Sequence, residues 1–291
     1  MLETKGHREA VTALAFSPDG DKLVSGDAAH DIVHDGHLRP IQKVVCKNPQ
    51  SPIGPMRSLA FSHDGRSWFS ATPTHIQKVD TETGATQWCY APLTSLGVFH
   101  DAPMRIATSA NGKLAVCFES GEMAIWSFDE DVPRRARANA KGHFLAWLGN
   151  DYVVSADGFE VQVTEATTGQ RVRTWHLQER ILGLSVEPER RLAAIRTLHQ
   201  LDLIDLMNGA HLGSAPAGPG LPLVAFRPRS DFLASPGVDG VNLTTLSGMN
   251  VLNFPIRDTR ATSIAFTGDG SRMAIGCADG SIHQILLPYV A

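Results

Sequence analysis

Residues 6–25 read GHREAVTALAFSPDGDKLVS, and the rest of the chain is written in the same unit. Val11, Leu14 and Phe16 form an apolar run, a Ser-Pro-Asp-Gly turn follows at 17–20, and Leu23 and Val24 open a second run. Alternation, turn and alternation again predict a two-stranded hairpin. Pro18 presets φ for a type I turn, and Gly20 supplies the left-handed backbone that closes it. The same words return as LAFSHDG at 59–65, VAFRPRS at 224–230 and IAFTGDG at 264–270. Recurrence of this kind marks a repeat protein.

The turn glycine fixes the period. Gly20, Gly65 and Gly112 are separated by 45 and 47 residues, weaker equivalents fall at Asn150, at Glu189 or Arg190 and at Ser230, and Gly270 closes the series. A second marker, read as the turn before a third strand, recurs at Asp35-Gly36, Ser120-Gly121, Asp157-Gly158, Asp239-Gly240 and Asp279-Gly280. A third recurs at Thr83-Gly84, Thr168-Gly169, Asn208-Gly209 and Ser247-Gly248. Each period therefore holds four short strands and three turns, with no helix-period segment, which is the layout of a propeller blade. The expected fold is all-β: a seven-bladed β-propeller of four-stranded antiparallel blades, one domain over 1–291. Its blades are placed at about 6–50, 51–95, 96–139, 140–178, 179–217, 218–257 and 258–291 plus 1–5. Only three strands fit after Arg260, so the N-terminal strand is expected to close the last blade and remove an exposed sheet edge.

Composition narrows the function. Of 291 residues 43% are hydrophobic and 19% charged, enough for a substantial core and too apolar for a disordered chain. A net charge of −4 disfavours nucleic-acid binding by the surface as a whole. Cys46, Cys89, Cys117 and Cys277 lie far apart without C-x-x-C spacing, and read as free thiols in a reducing compartment. No apolar run reaches 18 residues and the first ten residues lack an apolar leader core. These features predict a cytoplasmic, monomeric protein with no membrane partner.

The opening pattern GHxxxVxxLxFSPDGxxLxSG resembles the first half-blade of WD40-repeat proteins, and the resemblance extends, with decay, along nearly the whole chain. Gly-His recurs only at Gly6-His7 and Gly142-His143, and the third-strand Trp of that family survives only as Trp126, with Ile41, Val79, Val163 and Ile285 near that position elsewhere. The family's His–Ser–Asp–Trp tetrad is therefore complete in no blade. The resemblance implies a three-member version from His7, Ser25 and Asp35, with His143 and Trp126 as structural remnants. It also implies that Thr12 and His34 in blade 1, Arg57 in blade 2, Arg105 and Glu119 in blade 3, Arg180 and Thr197 in blade 5, and Arg260 and Thr262 in blade 7 line the narrow face. Four arginines there would suit carboxylate or phosphate groups through forked contacts. The function so implied is a non-catalytic scaffold for a protein or peptide, with an acidic or phosphorylated segment as the candidate partner and no cofactor.

Two other function classes have candidate residues in the sequence. Residues 28–34 read as an insertion in blade 1, and with Asp27, Asp31, Asp35 and His37 they make the densest polar stretch. His30, His34 and His37 would share a helix face and suit zinc or nickel, but strands flank them, so a solvated loop is the simpler reading. A propeller enzyme with a metal or polar channel site is the first alternative, although no phosphate loop, G-x-S-x-G or H-E-x-x-H motif is present. A nucleic-acid-binding propeller is the second. Its basic run, Arg134, Arg135, Arg137 and Lys141, follows Asp129, Glu130 and Asp131, which cancel much of its field.

Overall fold

The turn at 17–20 closes as its residues dictate: the Gly20 amide donates to the Ser17 carbonyl at 2.8 Å, and Gly20 has φ 76°. The computed structural model describes residues 1–28, 30–45, 58–90, 101–128, 136–218, 221–245 and 250–288. These residues form 28 strands in seven four-stranded antiparallel sheets.

Strand β1 (Leu2–Lys5) comes first. Blade 1 is β2 (Ala13–Phe16), β3 (Lys22–Gly26), β4 (His30–Asp35) and β5 (Pro40–Val45); blade 2 is β6 (Ser58–Phe61), β7 (Ser67–Ala71), β8 (Ile76–Asp80) and β9 (Thr86–Tyr90). Blade 3 is β10 (Pro103–Thr108), β11 (Lys113–Phe118), β12 (Glu122–Ser127) and β13 (Ala136–Lys141); blade 4 is β14 (Phe144–Leu148), β15 (Tyr152–Asp157), β16 (Glu160–Glu165) and β17 (Arg171–His176). Blade 5 is β18 (Gly183–Glu187), β19 (Leu192–Arg196), β20 (Gln200–Asp205) and β21 (His211–Pro216); blade 6 is β22 (Ala225–Phe226), β23 (Phe232–Pro236), β24 (Gly240–Thr245) and β25 (Asn250–Pro255). Blade 7 is β26 (Ala261–Phe266), β27 (Arg272–Cys277) and β28 (Ser281–Leu286), with β1 as its fourth strand. The first strands β2, β6, β10, β14, β18, β22 and β26 each contact the next, and β26 returns to β2, so the blades form a closed ring.

The core lies between blades. Successive residues of a strand point to opposite faces of its sheet, and both faces here meet a neighbour. On β3, Leu23 packs with Ala274 and Ile282 of blade 7, whereas the adjacent Val24 packs with Phe61, Trp68 and Val79 of blade 2. Five further pairings of this kind follow around the ring, giving seven apolar clusters for seven blade interfaces. This explains the near-continuous apolar runs of the second strands, such as Leu192–Arg196, where all five residues are buried. Cys89, Cys117 and Cys277 are free thiols, two of them buried in these layers; Cys46 lies outside the described residues.

Blade 1 departs from the sequence reading. Residues 28–34 are not an insertion: Asp27 opens a short turn, its Oδ1 accepts the His30 amide at 2.7 Å, and His30–Asp35 is the third strand. Asp35-Gly36 is the turn after that strand, where Asp35 Oδ1 accepts the amides of His37 and Arg39, both at 2.9 Å. Asp80 and Asp205 cap the equivalent turns of blades 2 and 5 in the same way. Pro40 consequently starts the outer strand, where a missing amide is tolerated, beside the register shift between Val33 and His34.

Ring closure takes the expected form. β1 pairs antiparallel with β28 from Leu2↔Gln284 to Lys5↔Ser281, and Lys5 lies 3.7 Å from Asp279. Apart from Thr4, the residues of β1 are exposed, so its contribution is a short ladder and cover for the β28 edge. At about 0.5–1.5 kcal/mol net per ladder bond, the strand stabilises by about 2–4 kcal/mol. Deleting residues 1–5 is expected to lower the thermal midpoint by roughly 5–10 °C, read by circular dichroism. An unchanged midpoint would mean that β1 has no part in holding the ring.

Candidate functional site

Strands alternate in direction, so the loops entering each first strand and the turns between second and third strands lie at one end of the ring. The turns between first and second, and third and fourth, strands lie at the other. Each sequence-predicted residue can be placed against this division.

In blade 1 a buried polar chain crosses the sheet at the first of these ends. His7 Nδ1 lies 2.9 Å from Asp27 Oδ2, His7 Nε2 lies 2.7 Å from Ser25 Oγ, and Ser25 Oγ lies 2.8 Å from His34 Nε2. The proton order follows from Asp27, which only accepts. His7 Nδ1–H faces it, His7 Nε2 therefore accepts from the Ser25 hydroxyl, and Ser25 Oγ accepts from His34 Nε2–H. Asp27, not Asp35, is the acidic member, because the strand boundaries put Asp27 beside His7 and use Asp35 as a turn cap. By register His34, opposite Leu23, takes the place that Trp126, opposite Leu114, takes in blade 3. Thus Thr164, opposite Val153, and not Val163, fills it in blade 4, and Ile41 lies in the outer strand.

The Asp27–His7–Ser25 connectivity is that of a nucleophilic triad. Ser25 and His34 are wholly buried, however, and the hydroxyl is engaged by a ring nitrogen on each side. No substrate reaches it, and the chain works as a lock between the loop, the second strand and the third. Burial pushes the His34 imidazole down to about 4, and burial also lowers His7, against the opposing pull of Asp27.

The metal reading of blade 1 loses its geometry. His30 sits at the start of β4, His34 is inside the sheet, and His37 lies beyond the other end of the strand. Among the described residues no three His, Cys, Asp or Glu side chains are placed to hold a metal ion.

His143 is not the equivalent of His7. Its amide donates to Ala156 O as that of Thr12 donates to Gly26 O, so it occupies the Thr12 position; its Nδ1 lies 2.6 Å from Asp157 Oδ1 in a half-buried pair. Trp126 is packed, with its ring edge-on to Tyr90 at 5.0 Å, and its indole N–H has no acceptor among the described residues.

The residues expected on the narrow face separate into three groups. Arg180 and Arg260 take the same repeat position, immediately before the buried Ile181 and Ala261 at the start of the first strand. Both are exposed, and neither has a side-chain partner among the described residues. Glu119 is exposed in the second-to-third-strand turn of blade 3, at the same end. Arg105 lies further along its strand, opposite Cys117, half-buried with Nη1 3.4 Å from Met104 O. Thr12 and Thr262 are half-buried, and Thr262 Oγ1 donates across the blade 7 to blade 1 junction to Val11 O at 2.7 Å. Thr197 is buried and caps its turn against Gln200, and His34 belongs to the lock. Arg57 lies outside the described residues.

Sequence reasoning missed Phe159 and Leu198, two of the three large apolar side chains exposed at that end among the described residues. Phe159, Leu198 and Val238 sit in the second-to-third-strand turns of blades 4, 5 and 6, and are 52%, 65% and 80% exposed. A signal was available: a large apolar residue in a turn otherwise built from Asp, Gly and Thr. Also unforeseen was a cleft of about 340 Å³ between blades 4 and 5, lined by His176, Glu179, Asp202, His211 and Ser214. There Ser214 Oγ and His211 Nε2 both meet Asp202 Oδ1, at 2.7 and 3.0 Å, and each other at 3.1 Å; one ring nitrogen serves both neighbours, so no relay passes through the imidazole.

A family described as "WD domain, G-beta repeat" matches residues 1–39, which cover β1 and most of blade 1. That match and the seven-bladed arrangement fit a WD40-repeat propeller family. No curated protein matches the chain.

The lock gives a pH dependence with a definite sign. In the unfolded chain His34 takes a proton near pH 6.5, and in the folded protein only near 4. The contribution of His34 to stability is therefore constant above about pH 6.5 and falls as pH drops toward 4, by about 3 kcal/mol in all. Replacing His34→Trp, the residue that blade 3 carries at this position, is expected to flatten that part of the urea-midpoint profile. An unaltered slope would show that His34 is not the responsible group.

Proposed function

We propose that this WD40-type β-propeller is a non-catalytic scaffold that binds a protein or peptide at the end carrying Arg180 and Arg260. The propeller of this type is a fold generally used for protein interaction. The observation that carries the reading is the composition of that end: Phe159, Leu198 and Val238 on successive turns of blades 4 to 6, with two exposed arginines in blades 5 and 7 that have no side-chain partner among the described residues. Exposed apolar side chains rimmed by arginine are the ingredients of an interface anchor. The arginines favour a carboxylate- or phosphate-bearing segment, which a forked guanidinium grips through two parallel hydrogen bonds.

The mechanism is preorganisation. Each turn is fixed at both ends by a blade that is packed on both faces, so the contact residues are held in place before a partner arrives and little ordering entropy is lost on binding. The buried lock of blade 1 serves the same purpose by fixing the loop that enters the ring.

The test uses an immobilised array of acidic and phosphoserine-containing peptides probed with the full chain. Wild type is expected to retain a subset of these peptides, with weaker retention as salt rises. Arg180→Glu with Arg260→Glu, and separately Leu198→Ser with Val238→Ser, are expected to weaken binding by about tenfold or more at an unchanged thermal midpoint. Equal retention by both variants rejects this end as the binding surface.

A further inference from the structure

The residue directly after the first strand has a fixed task in most blades. Ser17, Ser62, Ser109 and Thr267 are buried there; each hydroxyl donates to a turn side chain (Asp19, Asp64, Asn111 or Asp269) at 2.5–2.7 Å. Each also accepts the amide that opens the second strand at 2.9–3.0 Å. Two successive blades break this rule with charged residues, Glu187 in blade 5 and Arg227 in blade 6.

Arg227 has an evident partner set. Its guanidinium reaches across to blade 7, where Nε donates to Gly270 O at 2.8 Å and Nη2 to Pro288 O at 2.7 Å. Glu187 lines a cleft of about 400 Å³ between blades 5 and 6. It is 4% exposed, and no described side chain donates a hydrogen bond to it or pairs with it. The other charges in the cleft are already matched: Arg190 pairs with Asp231, and Arg229 lies 3.9 Å from Glu189. Among the described residues that line the cleft, Glu187 is the carboxylate without an ion pair of its own. Phe232 and Thr245 supply the less polar wall of the same cleft.

Burial, and then the charge of Glu189, push the Glu187 carboxyl up, and the charges of Arg190 and Arg229 and the Glu189 amide offset this only in part. The repeat shows what a comfortable residue there looks like, a hydroxyl capping the turn, and Glu187 forgoes that cap while placing a carboxylate in a 96% buried position. Calcium or magnesium is a poor fit, since each takes six or more oxygen ligands and a single carboxylate is free, and no three His, Cys, Asp or Glu side chains among the described residues are placed to hold a metal ion.

We propose that the cleft between blades 5 and 6 is a binding site for a primary ammonium or guanidinium group on an alkyl stem, with Glu187 as its counter-charge and Phe232 along the stem. It lies at the end of the ring opposite Arg180 and Arg260, and is independent of the surface proposed above. A lysine or arginine side chain and a free alkylamine share this chemistry.

The experiment titrates the isotope-labelled full chain with Nα-acetyl-lysine amide, Nα-acetyl-arginine amide and n-butylammonium, with Nα-acetyl-norleucine amide as the uncharged control. Saturable amide shifts in residues 187–191 and 230–232 are expected with the cations and not with norleucine. Tighter binding of the two amino-acid amides assigns the ligand to a polypeptide, and equal binding assigns it to a free amine. Glu187→Gln is expected to weaken binding about tenfold or more, the loss of one charge-assisted hydrogen bond. Glu187→Ser, which restores the cap of the other blades, is expected to raise the thermal midpoint. No saturable shift, an equal response to norleucine, undiminished binding by Glu187→Gln, or a midpoint lowered by Glu187→Ser would each overturn the proposal.

Discussion

Each sheet of this protein is apolar on both faces, and a sheet of that kind cannot stand alone in water. Leu23 and Val24 are neighbours in the chain, yet one is buried against blade 7 and the other against blade 2. The requirement passes from blade to blade, since covering one sheet exposes the far face of the next. Closing the ring satisfies it for all seven at once, and that constraint determines what the rest of the chain must supply. It explains why the inner strands tolerate wide drift in sequence: any apolar residue of suitable volume serves. It also explains why the polar interactions of the interior are local to single blades or to single junctions, such as Thr262 and Ser263 donating to Val11 O.

Against that background the lock of blade 1 has a defined place. Blade 1 meets blade 7, whose fourth strand is β1, and the segment from β1 to β2 must turn from one blade into the next. His7 is on that segment, and its bonds to Asp27 and Ser25 tie it to the second strand and to the turn before the third. The result is a polar clamp at the point where the chain's two ends meet. A ring nitrogen on each side of Ser25 leaves its hydroxyl fully used, which is the condition for burying it at little cost.

The fold was legible in the sequence because its signals are local and recur. A turn that needs φ > 0 leaves a glycine, as at Gly20, Gly65, Gly112 and Gly270, and their spacing counts blades. Where the glycine is absent the same backbone requirement persists, with Arg191 in the turn of blade 5 and Arg229 in that of blade 6 adopting φ 57°. The finer reading of blade 1 failed for a physical reason. Asp-Gly suits the turn on either side of a third strand, so Asp35-Gly36 carries no information about which turn it makes. The segment Ser25-x-Asp27, repeated as Ser155-x-Asp157, was the better marker, since it places an acceptor two residues beyond the buried serine. Sites were less legible still. Thr197 and His34 sit at the right repeat positions for a surface role and are buried, because side-chain direction depends on the turn and not on the count.

Positions that escape the repeat's own logic are where a function can be carried without harm to the ring. The ring sets the identity of inner residues by volume and that of turn residues by capping, so a residue that meets neither demand stands out. Phe159, Leu198 and Val238 are largely exposed at one end of the ring, and Arg180 and Arg260, at the same end, have no side-chain partner among the described residues. At the other end Glu187 replaces a capping hydroxyl with an unmatched carboxylate, while Arg227, one blade on, has carbonyls waiting for it. The two ends therefore offer opposite chemistry: arginine with apolar side chains on one, a single buried carboxylate on the other. Under the two proposals above, a ring packed on every blade face holds two different groups at a fixed separation, and neither contact requires the blades to move.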